Sequence, residues 1–207
     1  MDSLHVLDHP LIQNKLTLMR NKRTSNHNFR LLLEELTALM VYEITRNYPL
    51  KEVETETPLE WTQGKVLETD VVLVSILRAG SGMLHSVLSL IPQAKVGHIG
   101  IYREPDSLMP VEYYSKLPAG LPRAQIIVVD PMLATGRSAV AGIDLIKEAG
   151  GKTIQFLCLV ASPAGIETFT TTHGDVPIYT AAIDRELDGR GYILPGLGDA
   201  GDRIFGT

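Results

Sequence analysis

The chain has 207 residues, 44% hydrophobic and 21% charged, with a formal net charge of −5. That length suits one domain with a sizeable core, and the composition is that of a globular protein. The acidic balance gives no global pull toward nucleic acid or an anionic membrane surface. A single cysteine excludes an intramolecular disulfide, and no run approaches the ~18 consecutive apolar residues of a membrane span.

The N-terminus, MDSLHVLDHP, mixes charge with proline and does not read as a signal peptide, so a cytoplasmic location is expected. Residues 1–24 predict an arm with a short helix over Pro10–Arg20, where Leu11, Ile12, Leu16 and Met19 recur near helical spacing. His5 and His9 stand four apart, but Pro10 interrupts the helix and no third ligand is near, so they do not read as a metal site. Arg20, Lys22 and Arg23 read as a solvated basic face, with an effector or subunit contact as the lesser alternative.

Asn26 to Asn47 carries the strongest helical stripe: Phe29, Leu32, Leu33, Leu36, Met40 and Ile44. Asn47 and Pro49 end it. Residues 50–65 read as an extended edge segment with Pro58 at its end, and Trp61 as a packing residue.

The core sheet is expected to begin at Val71–Leu77, a continuous apolar run suited to a strand buried on both faces. Arg78-Ala79-Gly80-Ser81-Gly82 follows, then a helix containing Met83, Leu84, Val87, Leu88 and Ile91. An unpaired arginine over the edge of a buried sheet is costly, so Arg78 reads as an anion ligand. Lys95–Tyr102 is the next strand and ends at Arg103. Residues 103–118, with Pro105, Pro110 and Pro118, read as a hairpin-like excursion.

The stretch QIIVVDPMLATGRSAV, Gln125 to Val140, organises the chain. A β-branched strand leads to Asp130, then to the small-residue turn Ala134-Thr135-Gly136-Arg137-Ser138, and then to a helix over Ala139–Ala149. Backbone N–H groups of such a turn and the following helix start face an anion, and the helix dipole favours it. Thr135 and Ser138 add hydroxyl donors, and Asp130 can accept from a pair of sugar hydroxyls. The turn lacks the lysine of a P-loop and any GxGxxG, so by itself it reads more often as an ordinary βα turn.

Gly150-Gly151 close the helix, Thr153–Ala161 is a strand holding a buried Cys158, residues 163–172 a helix, and Val176–Ala181 a strand. This alternation predicts an α/β fold, a central parallel sheet flanked by helices. Ligands of such sheets lie beyond the carboxyl ends of the strands, where Arg78, Arg103 and Asp130 fall. The tail from Asp184 intersperses glycines with Tyr192, Ile193, Leu194 and Phe205. It reads as an ordered loop whose glycines bring backbone against a flat ligand, not a frayed end.

VVDPMLATGRS resembles the phosphoribosyl-diphosphate loop of the type I phosphoribosyltransferases, in the form used by uracil phosphoribosyltransferases. SILRAGSGM at 75–83, IYREP around Arg103, and YILPGLGDAGDRIFGT from Tyr192 onward match the same family. The resemblance spans essentially the whole chain. It implies the type I phosphoribosyltransferase fold as a single domain over 1–207: an N-terminal helical arm (1–65), a core sheet (66–182) and a C-terminal base-binding hood (183–207). It implies transfer of a phosphoribosyl group from 5-phosphoribosyl 1-diphosphate (PRPP) to uracil, giving UMP and diphosphate.

By the same resemblance, PRPP falls to Arg78, Arg103, Asp130, Pro131, Met132, Leu133, Ala134, Thr135, Gly136, Arg137, Ser138 and Asp199. Uracil falls to Tyr192, Ile193, Gly198, Asp199 and Ala200. Asp130 and Asp199 take electrostatic or positioning roles, with no single general base, and Mg²⁺ comes with PRPP and no protein ligand of its own. A mobile flap over 103–118, a cis Leu77–Arg78 peptide, a GTP effector and a dimer or tetramer are further implications. Partners are small molecules, with neither nucleic acid nor membrane.

Arg137 stands where a second glycine is usual. A positive φ there would cost about 1 kcal/mol or more, so the expectation is that Arg137 is already helical. A single acid, Asp130, follows the strand, as in the uracil form. Three rival readings are a transferase for another base, an RNA-binding pyrimidine regulator on the same fold, and a silent PRPP sensor.

Overall fold

In the computed structural model residues 3–103 and 110–207 are described, Arg103 by its backbone alone. The chain opens with β1 (Leu4–Val6) and α1 (Pro10–Arg20), with Pro10 at the helix start, where its missing N–H costs nothing. His9 caps α1 by accepting from the Leu11 N–H at 3.2 Å, and His5 stacks on Tyr179 at 4.5 Å. Ser25 caps α2 (Asn26–Ile44), which runs into a 3₁₀ turn at Thr45–Asn47 and buries Phe29, Leu33, Leu36 and Met40.

Next come β2 (Leu50–Glu56) and β3 (Trp61–Leu67), which among the described residues pair only with each other, in a two-stranded antiparallel sheet. This corrects the expected edge segment. Neither strand has a buried face, so nothing holds them on the main sheet, and Pro58 lies in the turn between them. Trp61, expected to pack, is 65% exposed.

The core follows as β4 (Val71–Leu77), a 3₁₀ turn at Ala79–Met83, α3 (Leu84–Leu90), β5 (Lys95–Arg103), β6 (Pro110–Lys116), β7 (Gln125–Val129), β8 (Met132–Leu133), α4 (Arg137–Glu148), β9 (Thr153–Ala161), α5 (Pro163–Thr172) and β10 (Ile178–Ile183). Of the excursion expected over 103–118, residues 104–109 lie outside the described residues, and β6 returns antiparallel to β5. The tail adds β11 (Glu186–Leu187), β12 (Ile193–Leu194) and α6 (Ala200–Phe205), so it is more regular than the loop expected there.

The main sheet runs β1-β10-β9-β7-β4-β5-β6, parallel except at β6, with β8 extending the pairing along β9. The arm thus supplies an edge strand that the sequence pattern did not announce. Alternate residues divide between two cores, as a period of two requires. Leu73, Ile127 and Leu157 pack under α1, α2 and α3, and Val74, Val128 and Phe156 under α4 and α5. The doubly covered parallel sheet is as expected. Among the described residues no helix is long and apolar enough to cross a membrane.

Cys158 lies in the second of these cores with no exposure, and burial pushes its thiol up to about 12. A raised value leaves the thiol protonated throughout the neutral range, where only the thiolate attacks. Iodoacetamide at pH 8 will leave the native protein unlabelled and modify one thiol after denaturation. Stoichiometric labelling of native protein would contradict this burial.

Candidate active site

The strands end together on one rim. At the end of β7 the Asp130 N–H donates to the Leu157 carbonyl at 3.1 Å, and the carbonyls of Pro131 and Leu133 accept from Leu159 and Ser162, each at 2.9 Å. The segment after Asp130 is therefore zipped along β9, which extends beyond β7. The Ser162 hydroxyl donates to the Ala134 carbonyl at 2.6 Å and accepts from Gly165 N–H at 2.9 Å, capping α5 and pinning the turn at once.

Gly136 then turns with φ +78°, and a Cβ on it would stand 2.6 Å from the Gly165 carbonyl oxygen. Arg137 begins α4. The positive φ falls on the glycine and Arg137 is helical, as expected for this departure from the family pattern. Asp130, Leu133, Gly136, Ser138 and Ala139 line a small recess at the start of α4, where the helix's first N–H groups lack intrahelical acceptors. The Thr135 hydroxyl is buried with no hydrogen-bond partner among the described residues. An unpaired buried polar group is costly, so a ligand oxygen is the natural acceptor for it.

The turn after β4 presses against the same rim. A Cβ on Gly80 would lie 2.4 Å from the Val129 carbonyl oxygen, so only glycine permits the approach. The Leu77–Arg78 peptide is cis. Arg78 is exposed and holds its guanidinium 5.9 Å from the centre of the Phe205 ring, while its neighbour Ala79 lines the site. Arg103 ends β5 on the same rim.

Facing this rim is the tail. A cleft of about 360 Å³ has Ala79, Ile101, Asp130, Met132 and Ala134 on one wall. Arg190, Gly191, Tyr192, Ile193, Gly198, Asp199, Ala200 and Gly201 form the other. The structure thus brings Asp130 and every residue assigned to the base together around one space. Pro131 is buried behind it, and Thr135 and Arg137 line an adjoining cavity. Asp199 also shapes the backbone, since its carboxylate accepts from Asp202 N–H at 2.9 Å and caps α6.

The tail is held from the N-terminal arm by a contact that the solvated-face reading of Arg20 missed. The Arg20 guanidinium makes a two-pronged ion pair with Asp184, at 2.7 and 2.6 Å, and also donates to the Gly196 carbonyl at 2.9 Å. Asp184, 5% exposed, in turn accepts from Gly196 N–H at 2.9 Å. Arg203 donates to the carbonyls of Leu197 and Asn21, each at 2.9 Å, and lies 4.3 Å over the Phe29 ring. These pairings run between distant parts of the chain. The one sequence signal is an acid, Asp184, directly after the strand that ends at Ile183.

Asp188 was also missed, although Asp-Gly is a turn signature. Its carboxylate accepts from the N–H groups of Arg190 at 2.8 Å and Tyr192 at 2.9 Å. Those N–H groups, Tyr192 first and then Arg190, hold the carboxyl below its ordinary value of 3.8. A depressed carboxyl stabilises the turn above the unfolded value, and that support is lost as pH falls through the lower folded value. An NMR titration of the Asp188 carboxyl carbon will show a midpoint below 3.8, and a midpoint at or above it would contradict the turn.

Among the described residues no three His, Cys, Asp or Glu side chains are grouped to hold a metal ion. Residues 6–207 match the model of a family described as uracil phosphoribosyltransferase. The chain belongs to that family. It is 59% identical over 208 residues to a uracil phosphoribosyltransferase of Acidovorax sp. (strain JS42), covering all of both chains. It is 57% identical over 203 residues to one from Dictyoglomus thermophilum, covering 98% of each.

The solved structure of the AQ2163 protein from Aquifex aeolicus matches with a TM-score of 0.94 at 35% identity, covering 99% of this chain and 98% of that one. An adenine phosphoribosyltransferase from Trypanosoma brucei matches with a TM-score of 0.61 at 11% identity, covering 88% and 84%, a likeness of fold alone. The fold is that of the type I phosphoribosyltransferases.

Proposed function

We propose that this protein is a pentosyltransferase that joins N1 of uracil to C1 of PRPP, forming UMP and releasing diphosphate. The observation that carries this reading is the cleft in which Asp130, Met132 and Ala134 face Tyr192, Ile193 and Gly198–Ala200, in a member of this family. Arm, sheet and hood then act as one domain over residues 1–207.

The recess between Gly136 and Ser138 takes the 5-phosphate on backbone N–H groups and hydroxyls. Asp130 accepts from the ribose hydroxyls. Arg78 and Arg103 draw the diphosphate toward the other side of the rim. Uracil offers N3–H between two carbonyls, a pattern that the backbone around Ile193 and Gly198–Ala200 complements without charged side chains. Cytosine would present a donor where uracil accepts, leaving buried groups unpaired.

As the C1–O bond to diphosphate breaks, positive charge grows on the ribose, and Asp130 and Asp199 on facing walls stabilise it. The bond from N1 forms at C1, and the N1 proton leaves to water or a diphosphate oxygen. Mg²⁺ generally keeps several waters and needs only one or two carboxylates beside substrate phosphates, so a cleft carrying Asp130 and Asp199 fits a metal that arrives with PRPP. When bound, it neutralises charge on the departing diphosphate.

The reading includes a cytoplasmic enzyme with a GTP effector, working as a dimer or tetramer. The β2–β3 hairpin supports self-association, since Leu59 at 95% and Trp61 at 65% exposure offer a second copy an apolar surface. A rate assay of diphosphate release from PRPP with uracil, cytosine, orotate and hypoxanthine tests the function. UMP from uracil alone is expected. Turnover of hypoxanthine or orotate without uracil would overturn the choice of base, and PRPP binding without turnover would favour a sensor.

A further inference from the structure

We propose that Phe205 is a positioning residue for the diphosphate end of PRPP, holding the Arg78 guanidinium in place before the substrate arrives. The inference rests on the uracil phosphoribosyltransferase reading above, in which Arg78 draws the diphosphate. Phe205 ends α6, the last helix of the hood, and is 44% exposed. Its neighbour Ile204 is buried in the core under α2, so the helix docks through Ile204 and leaves Phe205 outside. There the Arg78 guanidinium lies over the Phe205 ring, 5.9 Å from its centre.

The backbone on both sides of this contact is fixed. The Arg78 carbonyl accepts from the Ser81 N–H at 3.1 Å and from the Ser81 hydroxyl at 2.8 Å. Gly82 in the same turn sits tightly against α2 and α6, since a Cβ on it would stand 2.9 Å from Leu33 Cδ2 and 3.2 Å from Ile204 Cδ1. Packing thus sets the turn and the helix, and only the long Arg78 side chain is left to be placed. Such a side chain is rich in rotamers, and ordering it during binding costs affinity.

A ring suits this task better than an acid. Among the described residues no hydrogen bond or ion pair engages the Arg78 guanidinium. An aromatic face attracts the cation through its quadrupole and takes up none of its N–H donors. A carboxylate at the same place would occupy those donors and compete with the substrate. Held by Phe205, Arg78 keeps its charge and its two-pronged donor edge for the diphosphate. The same helix starts at the Asp199 cap and Ala200, in the wall on the base side of the cleft. One short helix therefore borders the base site at its start and steadies the diphosphate anchor at its end.

Kinetics of the wild type, Phe205→Leu, Phe205→Tyr, Arg78→Ala and the Arg78→Ala/Phe205→Leu double variant test this, with UMP affinity measured by calorimetry in parallel. UMP carries no diphosphate. Ordering a freed long side chain on binding costs about 0.5–1.5 kcal/mol, so Phe205→Leu should raise the KM for PRPP roughly two- to tenfold. The KM for uracil and the affinity for UMP should keep their wild-type values. Phe205→Tyr, which retains the aromatic face, should keep the wild-type KM for PRPP, and Phe205→Leu should add nothing to Arg78→Ala. An unchanged KM for PRPP in Phe205→Leu would overturn the proposal. So would equal weakening of PRPP, uracil and UMP, or a loss that Phe205→Tyr shares or that adds fully to Arg78→Ala, since each makes Phe205 a support of the hood alone. A wild type that forms no UMP, or Arg78→Ala with an unchanged KM for PRPP, would instead refute the reading on which the inference rests.

Discussion

Arg20→Ala will raise the KM for uracil by roughly tenfold or more and lower stability by about 3 kcal/mol, although Arg20 touches no part of the cleft. The cause is what it leaves behind. Asp184 is 5% exposed and accepts both prongs of the Arg20 guanidinium, so truncation strands a buried carboxylate with only Gly196 N–H as a partner. The Arg20 side chain is 23% exposed, which admits some water and sets the loss at the lower end of the range for broken buried pairs.

The same truncation frees the Gly196 carbonyl, and Gly196, at φ +59°, lies between the cis Leu194–Pro195 bond and the Gly198–Ala200 wall. The base side should suffer while the phosphate side does not. Urea unfolding together with KM values for both substrates measures the split. A variant that loses stability with an unchanged KM for uracil would show that Arg20 holds the fold without shaping the hood.

Gly136→Ala is expected to cut kcat/KM for PRPP about a hundredfold or more, since even a displacement near 1 Å can cost that much. Two penalties combine. An L-residue at φ +78° is disfavoured by about 1–2 kcal/mol, and the new methyl would meet the Gly165 carbonyl oxygen at 2.6 Å. Gly165 cannot retreat, because a Cβ on it would already stand 2.4 Å from the Ala134 carbonyl oxygen, so the two backbones are in contact. The phosphate turn must move. Gly189→Ala is the control: a Cβ there meets nothing within 4 Å, and its rate should match the wild type. Comparable kinetics for Gly136→Ala and the wild type would mean that the turn is not the phosphate site.

What the sequence made legible follows from what is local. Val71–Leu77 and Gln125–Val129 announce buried parallel strands because both are almost wholly apolar, Ser75 and Gln125 excepted. The α2 stripe announces its helix for the same reason, and the turn from Asp130 to Ser138 is contiguous, so its chemistry can be read in one window. The expected strand over 176–181 lies at Ile178–Ile183, displaced because Pro177 has no N–H to give the ladder.

The misses are long-range. Leu4–Val6 is too short to signal a strand and exists through pairing with β10. Arg20 looks like a surface cation until Asp184, 164 residues away, is placed beside it. Trp61 looks like core because large aromatics usually are, yet among the described residues β3 pairs with β2 alone and the ring is 65% exposed. Nothing in a linear pattern distinguishes an aromatic ring buried in its own fold from one left outside it.

The proposed function depends on a spatial division: one wall of the cleft would hold the sugar phosphate and the facing wall would read the pyrimidine. A crystal structure with UMP bound decides whether that division exists. The phosphate is expected within hydrogen-bond distance of the N–H groups between Gly136 and Ser138, with the ribose hydroxyls on Asp130. The uracil edge should pair with backbone at Ile193 and Gly198–Ala200 beneath Tyr192. Density placing the pyrimidine away from Tyr192–Ala200, or the phosphate away from Gly136–Ser138, would refute it.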